Sequence, residues 1–260
     1  MSGPRIGVSV SGADAAAISH LAALAEAQNI DLLVVGNARA GLPNGDDTYV
    51  VTAAAAAAVR TRYLRVGVVL DLRGSAPPVR VAEDLGVLDV MSNGRLELLV
   101  RPSPHPSWTD DLDSVLEAWS GWPLAETDRP ARSMPVTPSP VQPEIPTWLI
   151  EPSDPPIARP LSRGASLVFL AWPDAAQVPD ATELHRIRRI RDGVGSATVV
   201  FDLAGVPPVR HADVVRILGT VVGPCLRCPD DEVGILALDT ADWLLRRTAL
   251  HHPPLPDNSY

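Results

Sequence analysis

Short apolar runs recur along the first hundred residues. They are typical of buried strands because each is nearly continuous in aliphatic side chains, many of them β-branched, and is bounded by turn residues. A strand that is apolar on both faces belongs to a parallel sheet covered on both sides. The runs are Arg5–Val10, Asp31–Val35, Leu64–Leu70 and Leu96–Val100.

Longer amphipathic or alanine-rich segments separate these runs and predict helices. In Asp14–Gln28, apolar residues return every three or four positions, which is the period of one helix face. Thr52–Arg60 is almost entirely alanine, the residue with the highest helix propensity. Pro77 and Pro78 open a third helix that ends at Asn93-Gly94, because proline is tolerated in a first turn and glycine stops a helix.

The alternation weakens beyond Val100. Asp110–Trp119 predicts a short helix, and Ala125–Pro146 is a proline-rich connection. Further strands are predicted at Thr147–Ile150, Ser166–Ala171, Thr198–Asp202 and Gly234–Leu238. Further helices are predicted in a stretch ending near Arg163 and at Thr182–Arg191, Ala212–Leu218 and Thr240–Arg247.

These elements predict the fold. A chain of 260 residues is long enough for one large domain or two small ones. Eight strands, each followed by a helix or a helical candidate, favour one α/β domain, a compact (β/α)8 TIM barrel. We predict that this single domain spans residues 1–250, with a proline- and tryptophan-rich connection at 102–146 and a flexible tail at 251–260.

Charge and cysteine content narrow the function classes. The formal net charge is −9, and every basic side chain is arginine, so no nucleic-acid partner is expected. No apolar run is long enough to cross a membrane and no secretory pattern is present, so we expect a cytoplasmic protein without a membrane partner. Cys225 and Cys228 form a lone CxxC, for which structural thiols are favoured over a redox pair or half a zinc site.

Proline and tryptophan concentrate in the middle of the chain. Fourteen of the 27 prolines lie between Pro102 and Pro160, and tryptophan is also enriched in and just beyond this stretch. Two interpretations stay open: a contact surface, since tryptophan is enriched in interfaces, or simple packing of Trp119 and Trp148 in the outer layer of the barrel.

The segment Leu64–Val100 carries a resemblance to a known family. Val66-Gly67, Pro78, Glu83 and the pattern Leu88-Asp89-x-x-Ser92-x-Gly94-Arg95 resemble the bacterial luciferase-like monooxygenases, and the spacing from strand to Gly-Arg is preserved. Weaker similarity lies at Ala25–Asp31 and Pro138–Leu149. We expect Gly94 to end the helix and Asp89 and Arg95 to tie helix to strand.

The resemblance implies a bound FMN or deazaflavin at the carboxyl ends of the strands. The alternative is that none is bound, because this chain departs from the family there. Relatives carry an acidic residue and histidine after strand two, where this chain has Gly36-Asn37, and a glycine-rich turn after strand four, where it has Arg101-Pro102. The candidate site residues are Asn37 and His105 for catalysis and Val69, Leu70, Asp71 and Arg101 for the cofactor, with no metal ligands.

Two functions follow from the resemblance. The first is a flavin-dependent oxidoreductase that acts on a small organic substrate, in which Asp71 would add negative charge near the cofactor and Arg101 could meet its phosphate. The alternative is a catalytically degenerate subunit that stabilises a complete family member. The expected assembly is a homodimer, or a heterodimer with a luciferase-like homologue, through Ala53–Ala58 and the helix Val79–Met91.

Overall fold

The computed structural model describes most of the barrel and part of its helical layer. The described residues are 4–12, 14–39, 47–72, 76–103, 106–120, 136–162, 164–172, 179–193 and 198–227. None of the helices in these ranges is long and apolar enough to cross a membrane. The predicted strand Gly234–Leu238, the helix Thr240–Arg247, His105 and the tail lie outside the described residues.

Strands and helices alternate in the first half of the chain, as the pattern predicted. Asp14 caps the first helix by accepting a hydrogen bond from the Ala17 amide, and Pro78 opens the third. The elements are β1 (Arg5–Val10), α1 (Ala15–Ala27), β2 (Leu32–Val35), α2 (Asp47–Arg60), β3 (Arg65–Leu70), α3 (Pro78–Ser92), β4 (Leu96–Val100) and α4 (Trp108–Ser120).

The second half is less regular. A 3-10 turn at Pro208–Arg210 precedes α6, and a π-helical turn at Leu218–Val222 joins α6 to α7. The elements are β5 (Thr147–Glu151), β6 (Ile157–Pro160), β7 (Leu167–Ala171), α5 (Ala181–Gly193), β8 (Thr198–Asp202), α6 (His211–Ile217) and α7 (Gly223–Arg227).

The eight strands form a closed barrel in sequence order, with β8 returning to pair with β1. Six neighbouring pairs are parallel, but β6 runs antiparallel to both β5 and β7. The prediction of a closed eight-stranded barrel is confirmed, and the assignment of its strands is corrected. Residues before Arg163, predicted as a helix, contain β6, and the closing strand is Thr198–Asp202 rather than 234–238.

Apolar side chains on the two faces of the strands form two separate clusters. The outward cluster packs against the helices, and α2 contributes four fully buried alanines to it, Ala53, Ala54, Ala57 and Ala58. This face of the predicted interface run therefore packs inside the molecule. The inward cluster fills the barrel and consists mainly of Leu32, Val34, Val69, Leu99, Ile150, Leu167, Phe169 and Val200.

The turn after α3 holds three neighbouring elements together. Asn93 and Gly94 both adopt left-handed backbone, with φ of 55° and 75°, which ends the helix as predicted. Asp89 and Arg95 do not bind each other. The Asp89 carboxylate accepts hydrogen bonds from the amides of Val141 and Gln142. Arg95 donates instead to the carbonyl oxygens of Ala58, Thr61, Leu64 and Ser92.

Candidate active site at the carboxyl end of the barrel

Polar side chains close the inward face of the barrel at its carboxyl end. Asp71, Arg101 and Asp202 each stand two positions beyond an inward-facing apolar residue of the strand concerned, so alternation directs them to the barrel axis. Ser9 on β1 and Asn37 after β2 join them, and all five are at least nine-tenths buried. We call Ser9, Asn37, Asp71, Arg101 and Asp202 the mouth cluster.

Asp71 and Arg101 form a buried ion pair across the ends of β3 and β4. Nε of Arg101 donates to Oδ1 of Asp71 at 2.6 Å, and Nη2 donates to Oδ2 at 2.5 Å. This fork-on-carboxylate geometry is the strongest form of such a pair. The charge of Asp71 is therefore neutralised within the protein.

Arg101 also reaches the segment that follows β2. Its Nη1 donates to the carbonyl oxygens of Asn37 at 3.3 Å and Arg39 at 2.6 Å. The side chain of Asn37 accepts a hydrogen bond from the Arg39 amide at 2.9 Å. The predicted residues Asn37, Asp71 and Arg101 are thus brought together in one hydrogen-bonded network.

Arg39 and Asp202 complete this network, and the sequence reasoning missed both. Nε of Arg39 lies 3.0 Å from Oδ2 of Asp202, whose side chain is 3% exposed, whereas that of Arg39 is 42% exposed. Asp202 also accepts a hydrogen bond from the Ala204 amide at 3.0 Å. The signal for Asp202 was its position, because it ends a predicted strand in the same way that Asp71 and Arg101 directly follow theirs.

Val69 and Leu70, proposed as an apolar platform for a flavin, point to opposite faces of β3. Val69 belongs to the inward cluster and Leu70 to the outward one, and both are fully buried. His105 lies outside the described residues, so its role stays a prediction. Within the described ranges, no group of three or more histidine, cysteine, aspartate or glutamate residues could hold a metal ion.

A second buried charge lies at the opposite, amino end of the barrel. Oε1 of Glu97 pairs with Arg5 at 2.7 Å and with Arg65 at 2.5 Å. Nε1 of Trp148 donates to Oε2 of the same carboxylate at 3.1 Å. The inward cluster is therefore covered at both ends of the barrel by charged, hydrogen-bonded side chains.

Two further features lie in the helical layer. A cleft of about 380 Å³ separates α1 from α6 and is lined by His20, Leu21, Leu24 and His211 among others, on the outside of the barrel rather than over the strand ends. Near the start of α2, burial and the carboxylate of Asp14 raise the pKa of the Tyr49 phenol above its ordinary value.

Comparison with known proteins gives matches in structure. No family model matches the sequence, and no curated protein matches it either. Monooxygenase RslO1 from Streptomyces bottropensis superposes with a TM-score of 0.56 at 14% identity, over 83% of this chain and 97% of that one. The chain has the fold of RslO1. The resemblance to luciferase-like monooxygenases is thereby confirmed at the level of the fold.

Two other structures are similar over part of their length. They are the coenzyme F420-dependent tetrahydromethanopterin reductase from Methanopyrus kandleri (TM-score 0.43, 13% identity) and the FMN complex of the oxygenating constituent of 3,6-diketocamphane monooxygenase from Pseudomonas putida (0.44, 13%). They align with 77% and 88% of this chain, which spans only 65% of each of them. The likeness in fold rests on RslO1, and a shared fold does not by itself carry function.

Proposed function

We propose that the protein is a flavin-dependent oxidoreductase of the luciferase-like type, cytoplasmic, acting on a small organic substrate. The observation that carries this proposal is the mouth cluster, a buried, charged and hydrogen-bonded assembly at the carboxyl end of the barrel. Active sites of (β/α)8 enzymes are built at this end, from the ends of several strands and the loops that follow them.

The mouth cluster is hard to explain as a device for stability. Removing two charges from water costs several kcal/mol per ion, so a buried pair such as Asp71–Arg101 contributes less than apolar residues of the same volume. A similar buried cluster surrounds Glu97 at the amino end, so it is the position of the mouth cluster at the carboxyl end that favours a functional site. The inward cluster directly beneath already supplies the apolar packing inside the barrel.

The charges at the mouth suit an anionic cofactor. Two acidic and two basic side chains, Asp71, Asp202, Arg39 and Arg101, balance one another, so the described mouth does not repel a flavin phosphate. Arg39, whose side chain is 42% exposed, is the side chain that would meet the cofactor, which supplies the hydride or oxygen chemistry when bound, and Asn37 holds its backbone. Because Val69 and Leu70 are buried, the exposed guanidinium of Arg39 rather than an apolar platform would orient it.

Titration with the cofactor tests the proposal. FMN, and separately the deazaflavin F420, is titrated into the purified protein while flavin fluorescence is followed. We expect saturable binding in the micromolar range that weakens in Asp202→Asn, because a neutral amide no longer fixes Arg39. Asp213→Asn is the matched control, since this exposed aspartate also pairs with arginines, Arg210 and Arg216.

A binding constant weaker than millimolar for both cofactors would refute the enzyme proposal for the isolated chain. Equal weakening in Asp202→Asn and Asp213→Asn would place the binding site away from the mouth cluster. Turnover of bound reduced flavin in air, with and without candidate substrates, then separates an oxygenase from a hydride-transferring reductase.

An exposed apolar patch favours a second candidate, a catalytically degenerate subunit that pairs with another barrel. Val59 lies in the last turn of α2, Tyr63 lies in the segment just after it, and Val87, Val90 and Met91 follow the outer face of the adjacent α3. These five side chains are between 41% and 81% exposed. The absence of a titratable side chain at Asn37, where relatives carry an acid and a histidine, favours the same candidate.

The partner we propose for this patch is a second barrel that presents the same two helices across a twofold axis. Light scattering after size-exclusion chromatography measures the assembly of the chain alone and after co-expression with a luciferase-like homologue. We expect a dimer that Met91→Glu dissociates and that Val209→Glu leaves intact, since Val209 is 82% exposed but lies beside α6. A monomer in both preparations would contradict this candidate.

A further inference from the structure

We propose that Arg39 is an anion receptor at the mouth of the barrel, which binds the phosphate or carboxylate group of a small molecule seated there. A guanidinium presents five N–H donors in a planar fork that matches both groups. The proposal deepens the proposed function and rests on it for the identity of the site, because it names the chemistry by which that site would recognise its ligand.

The backbone of Arg39 is fixed on both sides. Its amide donates to the side-chain oxygen of Asn37 at 2.9 Å, and its carbonyl accepts from Nη1 of Arg101 at 2.6 Å. Asn37 and Arg101 are 3% and 7% exposed, and Arg101 is itself fixed by Asp71. Two buried side chains therefore hold a loop residue that has no secondary structure of its own.

The Arg39 side chain is held at Nε, and part of it is accessible to solvent. Asp202, at the end of β8, pairs with Nε of Arg39 at 3.0 Å, while 42% of the arginine side chain stays exposed. An ion pair through Nε leaves a second edge of the guanidinium fork to face an incoming anion. Arg39 is thus oriented in advance, so a ligand would not have to immobilise a long, flexible side chain.

The position of Arg39 also favours a ligand over a purely structural role. Structural arginines of this chain, such as Arg95, direct their donors to backbone carbonyls. At the mouth that task belongs to Arg101, whereas Arg39 receives three buried partners and keeps 42% of its side chain exposed. The arrangement is that of a positioned group with its supporting shell.

Arg39→Gln removes the charge and retains a shorter polar side chain. Arg159→Gln is the matched control, because Arg159 also pairs through Nε with a carboxylate, that of Glu151 at 2.5 Å, and is 56% exposed on β6. The probes are FMN, riboflavin, inorganic phosphate and benzoate. Flavin binding is measured by fluorescence, and binding of the two small anions by the shift in melting temperature.

The two sources of the anion give different results. If Arg39 holds the flavin phosphate, Arg39→Gln weakens FMN roughly 10- to 100-fold, the loss expected for charged hydrogen bonds, and leaves riboflavin unchanged. If Arg39 holds a substrate carboxylate, both flavins bind as before, and benzoate raises the melting temperature of the wild type and of Arg159→Gln but not of Arg39→Gln. Either result supports the proposal.

If Arg39→Gln and Arg159→Gln bind all four probes equally well, the proposal is overturned, even when flavin binds. Anion binding that depends on Arg39 without binding of either flavin supports the receptor and overturns the flavin proposal instead. Arg39→Lys guards against misfolding: it keeps the charge but not the fork, so we expect intermediate anion affinity with an unchanged circular dichroism spectrum.

Discussion

The buried pair Asp71–Arg101 allows a quantitative test of the mouth cluster. The perturbation is a cycle of three variants, Asp71→Asn, Arg101→Gln and the double replacement. Each single variant leaves one buried charge without its partner, since both side chains are less than a tenth exposed. The double variant replaces the two charges by neutral amides that can still bind each other.

The geometry sets the expected magnitudes. Breaking a buried pair from one side costs about 3–5 kcal/mol in the free energy of unfolding. Arg101→Gln also removes the donor to the carbonyl oxygens of Asn37 and Arg39, so we place it at the upper end, about 5 kcal/mol, with Asp71→Asn at about 3. The double variant should cost about as much as Arg101→Gln alone, which gives a coupling energy of about 3 kcal/mol.

Equilibrium urea unfolding, followed by tryptophan fluorescence and by far-UV circular dichroism, measures these free energies. Coincident transitions at the two probes are the condition for using a two-state analysis. Single variants that each cost less than about 1 kcal/mol, or costs that simply add in the double variant, would refute the reasoning. In that case the pair would be solvated as surface pairs are, which typically contribute 0–1 kcal/mol.

Two further predictions concern stability away from the mouth. Burial raises the pKa of Glu26, but hydrogen bonds from the amides of Tyr63, Leu64 and Arg62 and the charge of Arg95 outweigh it, so the pKa lies below the ordinary value of 4.5. The stability lost in Glu26→Gln should therefore be fully evident above pH 4.5 and should shrink as the pH falls through the pKa of the folded state. A difference in urea midpoint between the variant and the wild type that is the same at pH 7 and at pH 3 would contradict this. In Gly86→Ala the new Cβ would lie 2.7 Å from the carbonyl oxygen of Pro138, so we expect a loss of about 1–3 kcal/mol by urea unfolding, whereas Gly205→Ala, which meets nothing within 4 Å, should be nearly neutral.

The sequence predicted the first half of the barrel well because its signals are local. Each of the first four strands is a continuous apolar run, and each intervening helix carries its own period, cap or breaker. Arg5–Val10 and Leu96–Val100 are predicted to the residue. Asp71 and Arg101 were found in another way, through the resemblance, because they stand at the positions where relatives contact the flavin at the ends of strands three and four.

The segment before β7 was predicted wrongly because its structure depends on neighbours. β6 has four residues, ends in proline and contains Arg159, so it offers too few positions for a period of two to be recognised. It is a strand because Ile157–Pro160 pairs with β5 in an antiparallel register. Missing it shifted the strand count by one and moved the predicted closing strand to 234–238.

The contact between Arg39 and Asp202 was beyond local reasoning for a related cause. The two residues are far apart in the sequence, and they meet only because β8 pairs with β1 and so brings its end beside the segment after β2. Nothing in the residues around Arg39 marks it as different from the other 21 basic residues of the chain. Its role depends on which side chains the closed barrel places around it.

The reversed direction of β6 has a consequence for how the barrel forms. In the β5–β6 hairpin Trp148 pairs with Pro160, twelve positions later, whereas the seam between β1 and β8 joins Arg5 to Thr198, 193 positions later. Closing the longer loop costs about 2.5 kcal/mol more in chain entropy, from the logarithmic dependence on loop length. We therefore expect the β5–β6 hairpin to form early in folding and the pairing of β1 with β8 at the seam to form last. In native-state hydrogen exchange, the seam amides should accordingly open at lower free energy than those of β3 and β4.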